Sequence, residues 1–310
     1  MRDVLFVIAG FVLLFGGGEL LVRGAVSAAR RLGISELVIG LTVVGFGTSM
    51  PEMLVSVEAA FKGRPEIAIG NVVGSNIANI LLIAGFTGLM APSGGWGADV
   101  KRDVRVMLGA TALLLVAAAW GALPTWGGVL LLALLSAYLY AHYRASGAVP
   151  EDLEVRSATK PAWLAGLLLL AGLALLFVGA DMLIEGASAI ALALGVSEAV
   201  VGLSIVAVGT SLPELATSVV AAWRGRTAVA IGNVVGSNIF NILAILGVTA
   251  LVAPLPIAER FLRIDVPLVL AISIVFALIL SWSDRLGRKT GGAMLAAYAF
   301  YTACLYLSSG

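Results

Sequence analysis

Along this chain, apolar positions fall into long runs, and polar residues are confined to the gaps between them. Uncharged stretches cover residues 106–141, 162–180, 227–258, 266–283 and 290–310. The cluster Gly121, Pro124 and Gly127 divides the first of these into two. Further helices are expected around residues 4–22, 37–61, 67–90 and 199–223. A bilayer core about 30 Å thick takes roughly 20 apolar residues per helix, so the pattern predicts an all-α polytopic membrane protein with about ten transmembrane helices.

Composition agrees. Of the 310 residues 60% are hydrophobic and 12% are charged, against about 25% charged in ordinary soluble domains. A chain this apolar needs the lipid bilayer as its solvent. Its formal net charge is +1, with few and scattered basic residues, which offers nothing to nucleic acid. A single cysteine, Cys304, excludes an internal disulfide.

The main organisational feature is an internal repeat offset by 162 positions, so that Glu52 corresponds to Glu214. The stretch from Gly40 to Glu52 reads GLTVVGFGTSMPE, and that from Gly202 to Glu214 reads GLSIVAVGTSLPE. Residues 68–77 and 230–239 are the same ten residues, AIGNVVGSNI. Weaker echoes pair Glu19 with Asp181, Gly24 with Gly186 and Ser35-Glu36 with Ser197-Glu198. These echoes make residues 1–23 part of the fold rather than a cleaved signal peptide, which is the alternative for such a segment. The expected organisation is a five-helix repeat over residues 1–143, a cytoplasmic linker over 144–160 and a second, inverted five-helix repeat over 161–310.

An odd number of spans per repeat makes matching segments cross the membrane in opposite directions. Loop charge tests this independently. Taken alternately, one set of loops holds Arg23, Arg30, Arg31, Lys101, Arg102, Arg105, Arg144, Arg156, Lys160, Arg224, Arg226, Arg285, Arg288 and Lys289. The other set holds only Arg2, Lys62, Arg64, Arg260 and Arg263. The positive-inside rule places the first set in the cytoplasm and both termini outside. Inverted repeats of this kind build many secondary transporters, with the site at the repeat interface near the midplane.

Glu52 and Glu214 lie within apolar segments, with no Lys or Arg at comparable depth. A charge at the centre of a membrane helix costs about 2.5–3.5 kcal/mol on insertion scales, so a mobile cation is the natural partner. Packed, protonated carboxyls are the alternative. Thr48, Ser49 and Glu52 share one helix face, as do Thr210, Ser211 and Glu214. Pro51 and Pro213 have no N–H to give to Gly47 and Gly209, so both helices should break there. The break would turn carbonyls of Gly45 to Gly47 and of Ala207 to Gly209 toward the site. Downstream, Gly74-Ser75-Asn76 and Gly236-Ser237-Asn238 are expected to interrupt a second pair of helices. Ser75 with Asn79, and Ser237 with Asn241, are i,i+4 neighbours offering side-chain oxygens to a common point. An all-oxygen donor set suits hard cations, Ca2+ with its 6–8 oxygen ligands and also Na+, and argues against zinc or copper. Two carboxylates balance one Ca2+, and the same charges can be met by Na+ or by protons.

The paired signatures GTSxPE and GNxxGSNIxN resemble those of the Ca2+/cation antiporter superfamily, which includes the Na+/Ca2+ exchangers, and the resemblance covers the whole chain. It implies Glu52 and Glu214 as principal Ca2+ ligands. Thr48, Ser49, Ser75 and Asn79, with Thr210, Ser211, Ser237 and Asn241, would complete the Ca2+ and Na+ positions. It also implies several Na+ entering per Ca2+ extruded, and sliding of the helices near residues 4–23 and 164–185. Some relatives place Asp where Asn241 stands, an Asp associated with K+ coupling; the neutral Asn here argues against K+ dependence. The short central loop leaves no room for a Ca2+-sensing insert. The compact Ala/Gly/Leu-rich chain reads as prokaryotic, hence a protein of the cell (inner) membrane.

Other polar residues receive plainer readings. Glu58 is expected to line an outer pathway or the interface, Glu19 and Asp181 to anchor helix ends, and His142 to be solvated at the edge of the central loop. The Gly16-Gly17-Gly18 run permits either bending or close packing. Trp96, Trp120, Trp126, Trp163 and Trp282 fall near span ends, as an aromatic belt requires. A Ca2+/H+ exchanger and a passive cation channel are the competing transport functions. An intramembrane hydrolase lacks its parts, since there is no HExxH and the sole His is remote from the motifs. No enzyme activity and no cofactor are expected.

Overall fold

A computed structural model describes residues 2–33, 35–94, 98–145, 161–195, 207–283 and 285–309. In chain order the main helices are α1 (Arg2–Leu32), α2 (Gly40–Thr48), α3 (Met50–Phe61), α4 (Pro65–Met90), α5 (Ala98–Trp120) and α6 (Thr125–Ala145). They continue with α7 (Ala162–Ala193), α8 (Leu212–Trp223), α9 (Thr227–Val252), α10 (Phe261–Trp282) and α11 (Arg288–Ser309). Among the described residues seven helices are long and apolar enough to cross a membrane, or eight if the bent pair α2 and α3 counts as one span. The expected span at 199–223 begins in residues outside the described set, as do Ser197, Glu198, most of the linker at 144–160 and Trp96. The last expected span is present as helix α11, which is not among those seven.

Burial separates an inner layer from an outer one. In α9 89% of the apolar window is buried and in α4 72%, whereas α1 and α7 reach only 28%. The two central helices are those carrying the identical ten-residue motif. α9 is buried on nearly all sides and α4 on most of its surface, so both read as largely apolar sequence. The outer pair, α1 and α7, run antiparallel: Gly10 lies against Gly179, Gly17 against Leu176 and Gly24 against Leu169. Glycines recur every seven residues on both helices, at 10, 17 and 24 and at 172, 179 and 186. A Cβ at Gly17 would stand 2.8 Å from the Leu176 backbone nitrogen, and one at Gly172 would stand 2.6 Å from that of Leu21. The seam is therefore set by backbone-to-backbone approach, the membrane alternative to burying large side chains. Of the two readings of Gly16-Gly17-Gly18, packing holds, because α1 runs unbroken through them.

Ion pairs tie α1 to α7 and to the end of α8. Arg2 bonds Glu185 at 3.0 Å, and Glu19 bonds both Arg23 and, at 2.7 Å, Arg224. Glu19 does not stand at a helix end as expected: it lies midway along α1 and ties that helix to the end of α8, while Glu58 is exposed and paired with Lys62. Two short ribbons bridge distant loops: residues 93–94 pair with 285–286, and 122–123 with 255–256. Each joins loops that the charge pattern assigns to the same side of the membrane.

Two further expectations need correction. The helices are not interrupted at Gly74-Ser75-Asn76 or Gly236-Ser237-Asn238; α-helix continues through both, and π-helical turns follow at Ala78–Ile83 and Asn241–Ile245. Glycine and serine weaken a helix, but without proline every N–H is still available. A helix buried this deeply cannot leave its backbone groups unpaired, so the hydrogen-bond ladder shifts by one residue instead of breaking. His142 is also not solvated: it is 2% exposed and bonded to Asp103 and Arg102, from α5.

Candidate functional site

The break expected at Pro51 is present. Helices α2 and α3 meet at a 48° bend, with Ser49 out of helical geometry at φ −82°, ψ 7°. Ser211 has the same geometry, φ −88°, ψ 5°, ahead of α8. Each proline sits in the first turn of the new helix, where its missing N–H costs nothing. This places Glu52 and Glu214 in the first turns of α3 and α8. There the positive end of the helix dipole favours a carboxylate. Both Glu side chains are 1% exposed, and neither has an ion pair with Lys, Arg or His among the described residues.

The two carboxylates are joined reciprocally across the halves of the chain. Ser49 Oγ donates to Glu214 Oε1 at 3.0 Å, and Ser211 Oγ donates to Glu52 Oε1 at 3.1 Å. Around them, Thr48 Oγ1 donates to Asn233 Oδ1 at 3.2 Å and Ser237 Oγ to the Gly45 carbonyl at 3.4 Å. That carbonyl also accepts the Ser49 N–H at 3.1 Å. Asn241 Nδ2 donates to Asn76 Oδ1 at 3.1 Å. Gly45 and Gly236 let α2 lie directly on α9: a Cβ at Gly236 would fall 2.3 Å from the Leu41 carbonyl oxygen. Ser75 and Asn79 are buried on α4. Thr210 stands next to Ser211 at the break, and Ala207 belongs to the short helical turn before it.

A second ring of bonds holds the breaks in shape. Asn71 Nδ2 donates to the Glu52 carbonyl at 3.0 Å and to Ser56 Oγ at 2.9 Å. Asn233 Nδ2 does the same for the Glu214 carbonyl at 3.2 Å and Ser218 Oγ at 2.9 Å. All three partners are offset by 162 positions. The role of these asparagines was not read from the sequence. The available signal was their identity at matching positions of AIGNVVGSNI, one turn before the serine of the GSN triplet.

Buried polar atoms normally find a hydrogen-bond partner. Here Glu52 Oε2, Glu214 Oε2, Asn79 Oδ1, Asn238 Oδ1 and Asn241 Oδ1 are buried without one. All five are acceptors; Asn76 Nδ2, a donor beside Asn241, also lacks a partner. A cluster of unpaired acceptor oxygens that includes two carboxylates calls for a cation, and oxygen donors suit a hard one. Among the described residues no three His, Cys, Asp or Glu come together, so hydroxyl and amide oxygens would have to complete any coordination shell.

The fold is that of a predominantly helical, multi-pass membrane protein. The chain belongs to the sodium/calcium exchanger protein family, whose model matches residues 3–144 and 164–307. CaxA of Alkalimonas amylolytica is 39% identical over 321 residues, covering 98% of each chain. The sodium/calcium exchanger MaX1 of Methanosarcina acetivorans is 32% identical over 349 residues, again covering 98% of each. Among solved structures, the sodium-calcium exchanger NCX_Mj soaked with 2.5 mM Na+ and 0.1 mM Ca2+ superposes with a TM-score of 0.86 at 33% identity, over 98% of both chains.

Proposed function

We propose that this chain exchanges Ca2+ for Na+ across the cell (inner) membrane by alternating access, with Glu52 and Glu214 as the shared ion ligands. The observation that carries the reading is the reciprocal pair of bonds, Ser49 to Glu214 and Ser211 to Glu52. They bring both carboxylates into one buried place rich in unpaired acceptor oxygens. Thr48, Ser49, Ser75, Asn79, Thr210, Ser211, Ser237 and Asn241, with the carbonyls of Gly45 and Ala207, supply the remaining oxygens. Ca2+ neutralises the two carboxylates, and Na+ ions compete for the same charges. The empty, doubly negative site is strongly disfavoured in a low-dielectric medium, which makes exchange obligatory. The names of MaX1 and NCX_Mj support these substrates.

In this reading ten helices form two inverted five-helix repeats, over residues 1–143 and 161–310, with both termini outside. The matching bonds at a 162-residue offset support that symmetry. The outer pair α1 and α7, packed on each other through small residues, is the unit that slides to open the site to one side and then the other. Protons are the rival counter-ion. In proteoliposomes, Ca2+ uptake should follow an outward Na+ gradient and persist when the pH gradient is collapsed. Uptake driven by a pH gradient alone, indifferent to Na+, would favour Ca2+/H+ exchange. Ca2+ flux without any counter-ion on the opposite side would indicate a channel.

A further inference from the structure

Away from the ion site, a groove of about 380 Å³ opens between α5 and α6. Its walls are apolar, formed by Val106, Leu113, Leu134 and, from the π-turn that begins at Asn241, Leu243. One end is polar, where Arg102, Tyr138 and His142 stand. His142 Nε2 lies 2.7 Å from Asp103 Oδ1 and 2.6 Å from Arg102 Nη2. Arg102 Nε lies 3.2 Å from the same Asp103 oxygen, and its Nη1 lies 3.4 Å from exposed Asp99. The Tyr138 side chain is buried against Asp103. Lys101, Arg105 and Arg144 are exposed on the same two helix ends, so basic residues there outnumber Asp99 and Asp103.

We infer that this groove binds an anionic phospholipid, with one acyl chain along the apolar walls and the phosphate at the Arg102 and Tyr138 end. A lipid-facing cleft without polar walls cannot hold water, whereas acyl chains are present at high density. The dimensions agree: Arg102 to Leu113 rises about 16 Å along the helix, against about 15 Å for the hydrocarbon half of a bilayer. Basic pockets between membrane helices are a recurrent way of holding acidic headgroups. Asp103 does not oppose this, because it is fully buried and holds the guanidinium and imidazole in place. The longer contact of Arg102 with exposed Asp99 is weak and can give way to a charge-assisted bond with phosphate. The excess of basic residues selects an anionic over a zwitterionic headgroup.

Gly109 gives a clean test. It lines the groove, and a Cβ there would meet no atom within 4 Å, so a larger side chain fills the cleft without displacing protein. The full chain, purified and delipidated in detergent, is titrated with phosphatidylglycerol or phosphatidylcholine of identical acyl chains and observed by native mass spectrometry. Phosphatidylglycerol should be retained at least about tenfold more tightly. Gly109→Leu should lose that retention while keeping the wild-type thermal midpoint, and Arg102→Gln should reduce the preference to the phosphatidylcholine level. Inorganic phosphate should not displace the lipid. Equal binding of the two lipids, full retention by a folded Gly109→Leu or Arg102→Gln protein, or displacement by phosphate overturns the inference. Either variant decides it alone, and neither readout depends on which ions the protein exchanges.

Discussion

Ser49 and Glu214 lie 165 positions apart in the chain and are joined by a hydrogen bond of 3.0 Å inside the protein. Its counterpart joins Ser211 to Glu52, so neither carboxylate is held by its own half alone. Hydrogen bonds to charged groups are worth about 1.5–3 kcal/mol. Ser49→Ala and Ser211→Ala should each raise the Ca2+ concentration for half-maximal exchange about tenfold or more, measured as Ca2+-dependent uptake in proteoliposomes. Ser49→Thr should restore much of the loss.

Asn233 and Asn71 brace the two helix breaks from the central helices. Asn233 is fully buried and also accepts a bond from Thr48, whereas Asn71 is only partly buried. Unpaired buried groups cost about 1–3 kcal/mol each, so Asn233→Leu should lower the thermal midpoint more than Asn71→Leu. Both variants should weaken Ca2+ affinity through the displaced Glu carbonyls.

The outer seam has no spare space at Gly17 or Gly172. Gly17→Leu drives a side chain into the Leu176 backbone, and overpacking of this kind costs about 1–3 kcal/mol. Reduced yield and a lower unfolding temperature in detergent are expected. The same change at Gly16, where a Cβ meets nothing within 4 Å, should be tolerated.

Much of the candidate site was legible because its chemistry is concentrated in short repeated strings. GTSMPE and GTSLPE contain the carboxylates, the hydroxyls and the prolines that break the helices, and the structure brings those groups together. What could not be read depends on partners distant in sequence or on backbone hydrogen bonding. His142 looked like a loop residue because Arg102 and Asp103, which bury it, lie about 40 positions earlier. The GSN triplets suggested interruptions, since glycine and serine disfavour helix, but deep burial converts the weakness into a π-turn two or three residues later. The asparagine braces act on backbone carbonyls 19 positions away, a contact that no local pattern announces.

Neutral amides stand at positions 79 and 241, where an acid would add a further cation requirement. Replacing K+ by choline on both sides of the membrane should therefore leave Na+-driven Ca2+ uptake unchanged. Asn241→Asp is the variant in which a K+ effect should be sought.

The central claim is that one Ca2+ is held jointly by Glu52 and Glu214. Equilibrium Ca2+ binding to the purified protein, by isothermal titration calorimetry in Na+-free buffer, tests it directly. Wild-type protein should bind with a single-site isotherm, and Glu52→Gln and Glu214→Gln should each abolish that binding while the protein stays folded. Wild-type Ca2+ affinity in either folded variant would contradict the shared site.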